Sequence, residues 1–339
     1  MPTLADLGGW AGVLRRLMAR EDLSLDEAGA ALSEVLEGAA TPAQLAAFAV
    51  ALRMKGETAE EMAGLVQALV AHAEPLAVDD PASVVDTCGT GGDRSGSINV
   101  STLSALVVAG AGARVCKHGN RAASSMSGSA DVLEALGVAV DLGPEGAARC
   151  LSEAGMAFCF APRFHPGYRH VGPTRRELGV PTVFNFLGPL ANPARPGRQV
   201  VGVSDPAMAE TMLRALMASG AVRAMVVYGD DGLDELTTTT TSTVLELEGG
   251  ELRRTSVDPA SLGISLATAA DLKGGDPATN AGHARRVLDG ERGPHRDIVL
   301  LNAGAALLVA GLAGSLAGGV QAAAAFIDEG RAAGVLDRL

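Results

Sequence analysis

The chain has 339 residues, 47% of them hydrophobic, enough to bury a sizeable core and more than one simple domain usually needs, so two structural units are expected. Against 39 Asp and Glu stand 27 Lys and Arg, a formal net charge of -12 that repels nucleic acid and anionic membrane over most of the surface. Phosphate chemistry, if present, must be organised locally, and since lysine occurs only as Lys55, Lys117 and Lys273, Lys117 is the one to watch for it.

Met1 to Asp6 carry no basic start leading into an apolar stretch, so no signal peptide is expected. Cys88, Cys116, Cys150 and Cys159 show no C-x-x-C pair and no zinc-ligand spacing, and are read as reduced core thiols of a cytoplasmic protein. The first elements are capped helices: Ser24-x-x-Glu27, Thr41-Pro42-x-Gln44 and Thr58-x-x-Glu61 each set a hydroxyl three residues before an acid or amide, and Gly38 and Gly56 supply stops. Residues 1–79 are therefore expected to form a small all-helical domain, with 80–339 an α/β domain.

At Pro81 the texture changes. Ser83-Val84-Val85 predicts a strand, a glycine cluster follows, and an Ala/Val-rich helix spans about 102–111. Strand and helix signals then alternate: Ala113–Cys116, a helix near 130–136, Val138–Val140 as a further strand, a helix near 144–154, Ala157–Phe160, and Ala224–Tyr228. Such alternation predicts a largely parallel central sheet flanked by helices. The proline- and glycine-rich stretch 164–196 reads as a wall or hinge, 243–252 as a hairpin turning at Gly249-Gly250, and the remainder as helical. No charge interrupts Ile298 to Phe326, but Asn302, Gln321 and several glycines do, which suits two buried helices rather than a bilayer span.

Three loops carry the candidate chemistry. Asp86-Thr87-Cys88-Gly89-Thr90-Gly91-Gly92-Asp93, followed by Ser97-Ile98-Asn99-Val100-Ser101-Thr102, lies between a strand and a helix, where converging backbone N–H groups and a helix N-terminus favour an anion such as a diphosphate. It fits neither the dinucleotide G-x-G-x-x-G pattern nor the P-loop, and a glycine turn without ligand is the plainer alternative. Lys117-His118-Gly119-Asn120-Arg121-Ala122-Ala123-Ser124-Ser125 follows the next strand, so it should share the same sheet edge and add positive charge and hydroxyls, although a solvated basic turn would look similar. Asp234-Glu235, after the strand ending at Tyr228, offers hard oxygens where Mg2+ on a diphosphate would need them, with Ser101 across the pocket to complete the set. An Arg in the segment from Arg163 to Gly179 could grip a carboxylate, whereas His165 and His170 make no credible zinc site.

Taken in order, G-T-G-G-D at Gly89, N-x-S-T at Asn99, K-H-G-N-R-x-x-S-S at Lys117, R-R-E-L-G at Arg175, the Phe184 to Pro193 stretch and D-E at Asp234 resemble the anthranilate phosphoribosyltransferases over most of the chain. That resemblance implies magnesium-dependent transfer of a phosphoribosyl group from phosphoribosyl pyrophosphate to anthranilate in tryptophan biosynthesis, in a homodimer formed through a helical domain that residues 172–194 complete. It implies that Gly89, Gly92, Asp93, Ser97, Asn99, Val100, Ser101 and Thr102 of the first loop contact phosphoribosyl pyrophosphate. Lys117, His118, Gly119, Asn120, Arg121, Ser124 and Ser125 of the second would join them, with Ser129 beyond, Lys117 giving electrostatic support. Gly89, Asn120 and Arg175 would face anthranilate; Ser101, Asp234 and Glu235 would hold Mg2+. Three positions depart from the family pattern: Arg94 replaces a common glycine, Gly167-Tyr168 a small-plus-Met pair, and Thr237 to Thr241 the usual continuation after Asp-Glu. The rivals are a pyrimidine nucleoside phosphorylase, whose expected signatures are absent, and a non-catalytic relative that binds nucleic acid or a regulatory partner, which the charge disfavours.

Overall fold

Three reciprocal caps organise the first part of the chain. A computed structural model, which describes residues 3–122 and 125–339, places there helices α1 (Gly9–Met18), α2 (Leu25–Leu36), α3 (Pro42–Lys55) and α4 (Ala59–Ala71). Ser24, Thr41 and Thr58 accept from the backbone N–H three residues on, and Glu27, Gln44 and Glu61 return the bond. Glu61 is fully buried: one carboxylate oxygen accepts from the Leu23 N–H at 2.9 Å, the other from the Thr58 N–H and the Lys55 ammonium, both at 2.9 Å. One of the three lysines is thus committed to the fold.

From there the chain alternates. In order come β1 (Val85–Gly89), α5 (Val100–Gly110), β2 (Val115–Gly119), α6 (Ser129–Leu136), α7 (Pro144–Ala154) and β3 (Met156–Phe160). The proline-rich stretch supplies short helices α8 (Ala161–Phe164), α9 (Gly172–Leu178) and α10 (Phe184–Leu187), followed by β4 (Arg198–Gly202), α11 (Ala209–Ala218), β5 (Arg223–Gly229), β6 (Ser242–Glu248) and β7 (Glu251–Val257). Helices α12 (Pro277–Leu288), α13 (Pro294–Ala310), α14 (Leu316–Asp328) and α15 (Arg331–Arg338) close the chain, and the uncharged run forms parts of α13 and α14. Among the described residues no helix is long and apolar enough to cross a membrane.

The sheet order is β3-β2-β1-β4-β5-β6-β7; β3 to β5 are mutually parallel, and the β6–β7 hairpin adds antiparallel strands. Three sequence readings need correction, the first being that the chain beyond the hairpin is not helical throughout: β7 continues to Val257, and 263–276 lie in no helix before α12 begins at Pro277. Residues 138–140 are not a strand: Val138 and Val140 are buried against Phe158 and Phe160 while Ala139 is exposed, so the alternation is real but no neighbouring backbone pairs with it. Strand β4, which the sequence reading passed over, lies at the centre of the sheet.

Side chains alternate across β4, and so do the cores they enter. Val201 packs with Tyr228 and α11 against the N-terminal helices, in a core that also takes in Val171, Phe184 and Leu187; Val200 packs with Val85 and Met225 against α5 and α12–α15. Because the chain steps outward from β1 to β2 and β3 and then returns to the other side of β1, the strand order reverses at the β1–β4 seam. A crevice opens beyond the carboxyl ends of strands at such a reversal.

Candidate active site

Four parallel strands deliver their following loops to that crevice. The Thr90 N–H donates to the Gly202 carbonyl at 2.9 Å as β1 ends, and Ser204, just past β4, donates its N–H to Thr90 Oγ1 and its hydroxyl to the Gly91 carbonyl. Gly91, Gly92 and Gly96 take positive φ, turning the backbone sharply, and Arg94 shares that left-handed conformation with φ 59°. A side chain there costs on the order of 1 kcal/mol more than glycine, which is the physical content of the departure at that position. The loop enters α5 at Asn99, whose side chain does not cap the helix but reaches Ser127 of the second loop and Asn280 of α12.

Lys117 on β2 is 1% exposed and donates to the Thr87 carbonyl and, at 3.2 Å, to Ser101 Oγ. Facing it across the crevice, Glu235 accepts from the Ser101 N–H at 3.1 Å and Asp234 from the Gly91 N–H at 2.6 Å. Burial raises both acids. Asp93 and Glu235 as like charges push Asp234 higher still, while Glu235 is pushed up to about 7, burial and Asp93 outweighing the opposing pull of Lys117. Ionised carboxylates crowded together out of water need a cation. The donors are hard oxygens, with the Ser101 hydroxyl adjacent, which fits Mg2+. Among the described residues no group of three or more His, Cys, Asp or Glu forms a metal site by itself, so water and substrate oxygens would complete the sphere.

The turn carrying these acids is held from below. Asn302, the residue that interrupted the apolar run of α13, is buried; its Oδ1 accepts from the Leu236 N–H and its Nδ2 donates to the Leu236 carbonyl. Thr237 and Thr239 donate to Asp231, and Thr241 to Asp230, so the threonine run is a hydroxyl–carboxylate brace for the same turn. On the wall, the Arg175 guanidinium lies 5.8 Å over the Tyr168 ring, and Tyr168 donates to the Phe184 carbonyl. Among the described residues no carboxylate pairs with Arg175.

Comparison with known proteins adds to this geometry. Residues 11–73 match the family description "Glycosyl transferase family, helical bundle domain" and residues 81–333 "Glycosyl transferase family, a/b domain". An anthranilate phosphoribosyltransferase from a Nocardioides species is 55% identical over 334 residues, 97% of either chain. The chain belongs to the anthranilate phosphoribosyltransferase family. A crystal structure of such an enzyme from Thermus thermophilus matches with a TM-score of 0.90 at 42% identity, covering 96% of this chain and 97% of that one. One from Saccharomyces cerevisiae, in complex with phosphoribosyl pyrophosphate and Mg, matches with a TM-score of 0.87 at 26% identity, covering 97% and 96%.

Not every family-motif side chain turns toward the crevice. Arg121 is paired with Asp131 and Glu134 and stacks over Phe160, so its charge is already matched. His118 is buried, donates through Nδ1–H to the Gly188 carbonyl at 3.0 Å, and packs its ring 5.1 Å from that of His165; burial, then His165, drives it down to about 3, so it stays neutral. Asn120 and Ser129 bond to each other, and Ser125 lies beside Ser127; Ser124 falls outside the described residues. The Phe184 to Pro193 motif proves to be a fastening: Asn192 donates to buried Asp86 at 2.8 Å and to the Cys116 carbonyl, and Gln199 donates to the Pro189 carbonyl, tying the wall to β1, β2 and β4.

Sequence reasoning missed Gly202, Ser204, Asn280 and Asn302 as site-shaping residues. A signal existed for two. Gln199 to Val203 is a β-branched run ending near glycine, as β1 does, and Asn302 is a lone amide in an apolar helix. For Asn280, 181 positions from its partner Asn99, no local signal exists.

Proposed function

We propose that the chain is an anthranilate phosphoribosyltransferase: it transfers the 5-phosphoribosyl group of phosphoribosyl pyrophosphate to the amine of anthranilate and releases pyrophosphate, with Mg2+ as cofactor. The observation that carries this reading is the convergence of a glycine loop, a buried lysine and two buried, mutually repelling acids at one strand-order reversal. Ser101, Asp234 and Glu235 would hold the metal, which when bound offsets the charge that builds on the leaving diphosphate.

The chain's own residues do the rest. Backbone N–H groups of the Gly89 to Ser97 loop and the opening of α5 bind phosphate oxygens, and Lys117 supplies a fixed positive charge toward the ribosyl centre and diphosphate as their bond lengthens. Anthranilate's aryl amine is already neutral near pH 7, so it needs positioning rather than a base. The structure offers none from the loops: His118, the one histidine in the two phosphate-loop segments, is neutral and turned to Gly188. We assign anthranilate's carboxylate to Arg175, whose guanidinium lies over the Tyr168 ring. Arg175→Met raises KM for anthranilate by roughly tenfold or more while KM for phosphoribosyl pyrophosphate stays within about twofold, and Arg175→Lys recovers only part, since a lysine cannot make the bidentate pair. Equal changes in both KM values would remove that assignment.

A homodimer formed through the helical unit accords with the exposed Met18, Met54 and Val180 on or beside α1, α3 and α9. The direct test of the activity is fluorescence-monitored consumption of anthranilate with phosphoribosyl pyrophosphate. Turnover that requires both substrates and Mg2+ is expected; folded protein without turnover would overturn the reading.

A further inference from the structure

The segment between β7 and α12 closes over the first phosphate loop from outside. The Ile98 N–H donates to the Leu272 carbonyl at 3.1 Å, the Gly274 N–H to the Gly96 carbonyl at 2.8 Å, and Ser97 pairs with Lys273 as an isolated antiparallel bridge. Buried Asn280 locks this strap: its Oδ1 accepts from the Gly275 N–H at 2.7 Å and its Nδ2 donates to Asn99 Oδ1 at 2.9 Å. The fit leaves no room for a side chain at 274, where a Cβ would stand 2.5 Å from Asn280 Oδ1 and 2.9 Å from the Ser97 carbonyl oxygen.

That geometry brings the third lysine to the loop. Lys273 Nζ lies 3.8 Å from where a Cβ on Gly96 would stand. The acids on its own segment are committed elsewhere: Asp271 accepts from the N–H and hydroxyl of Thr268, and Asp276 caps α12 by accepting from the Thr279 N–H. Among the described residues no carboxylate pairs with the Lys273 ammonium. In a chain of net charge -12, an uncommitted ammonium held against an anion-binding loop is a local reversal of sign.

We propose that Lys273 is a further substrate-binding residue, its ammonium contacting a phosphate of the phosphoribosyl pyrophosphate on the Gly91 to Ser97 loop, with Asn280 as the positioning residue for the strap that carries it. This rests on the activity proposed above. The Lys55 side chain is only 3% exposed and Lys117 is buried, while Lys273 is exposed, so side-chain amine labelling reports on Lys273 almost alone.

The test uses the full chain and peptide mass spectrometry after brief acetylation. Phosphoribosyl pyrophosphate with Mg2+ is expected to slow labelling of Lys273 about fivefold or more, while anthranilate alone does not. In steady-state kinetics Lys273→Met raises KM for phosphoribosyl pyrophosphate roughly tenfold with kcat and KM for anthranilate nearly unchanged, and Lys273→Arg restores most of the loss. Unprotected labelling together with an unchanged K273M in an enzyme that turns over would overturn this inference alone. Absence of wild-type turnover would overturn the activity and the inference together.

Discussion

Glu235→Gln, assayed at saturating Mg2+, lowers kcat/KM by about two to three orders of magnitude, and Asp234→Asn does the same. Each keeps the shape and one hydrogen-bond acceptor while removing a charge that the metal requires. Neither unfolds the protein; both stabilise its metal-free form. The sign follows from the acids' environment. Glu235 is pushed up to about 7 in the folded chain, mainly by burial and then by Asp93, from an ordinary value of 4.5. Between those two values the folded state holds a proton that the unfolded state has released, so in chelator the wild type loses stability as pH rises through that window. Mg2+ abolishes much of that loss. Melting curves from pH 5 to 8 with EDTA or Mg2+ check it: E235Q should be the more stable protein at pH 8 in EDTA and gain little from metal. Wild-type turnover by both variants, or an unchanged response of melting temperature to metal, would remove these residues from the metal site.

Gly202→Ala costs about 2 to 3 kcal/mol of stability and about a hundredfold in kcat/KM. A methyl group there would lie 1.6 Å from the Asp234 carbonyl oxygen, and one on the neighbouring Gly89 would meet Asp234 Oδ2 at 2.5 Å. Two adjacent strands thus end in glycine because the acid-bearing turn rests directly on their backbones. The substitution pushes that turn away from Ser101 and weakens the response to Mg2+, measurable by titrating activity against metal. Wild-type activity in G202A would show that the turn yields freely and that β4 does not set the position of Asp234.

How much of this was legible depended on whether the chemistry is local. The glycine loop, Lys117 and the Asp234-Glu235 pair announce themselves because their residue types act where they stand in the chain, and strand–helix alternation placed them at one sheet edge. The capping boxes were legible for the same reason. Motif membership could not reveal that Arg121 is matched by Asp131 and Glu134, or that His118 points at Gly188, because those partners are fixed by how β2, α6 and the wall pack. Asn302 was visible as an anomaly, yet its target, Leu236, is 66 positions away. The false strand at 138–140 shows the limit of periodicity: alternating burial marks a half-covered extended segment, whether or not a neighbour pairs with it.

The β6–β7 hairpin bears on what the sheet can join. Its outer strand offers Glu251, Arg253 and Arg254 in quick succession, with Arg253 paired to Glu251 at 2.8 Å and Arg254 donating to the Tyr228 hydroxyl. At the opposite edge every residue of β3 is buried, with α7 packed along it. A strand from another molecule would have to strip water from charge at one margin and reach a strand buried along its whole length at the other. Neither margin of the sheet thus offers the bare apolar edge on which the edge-to-edge growth of fibrils depends.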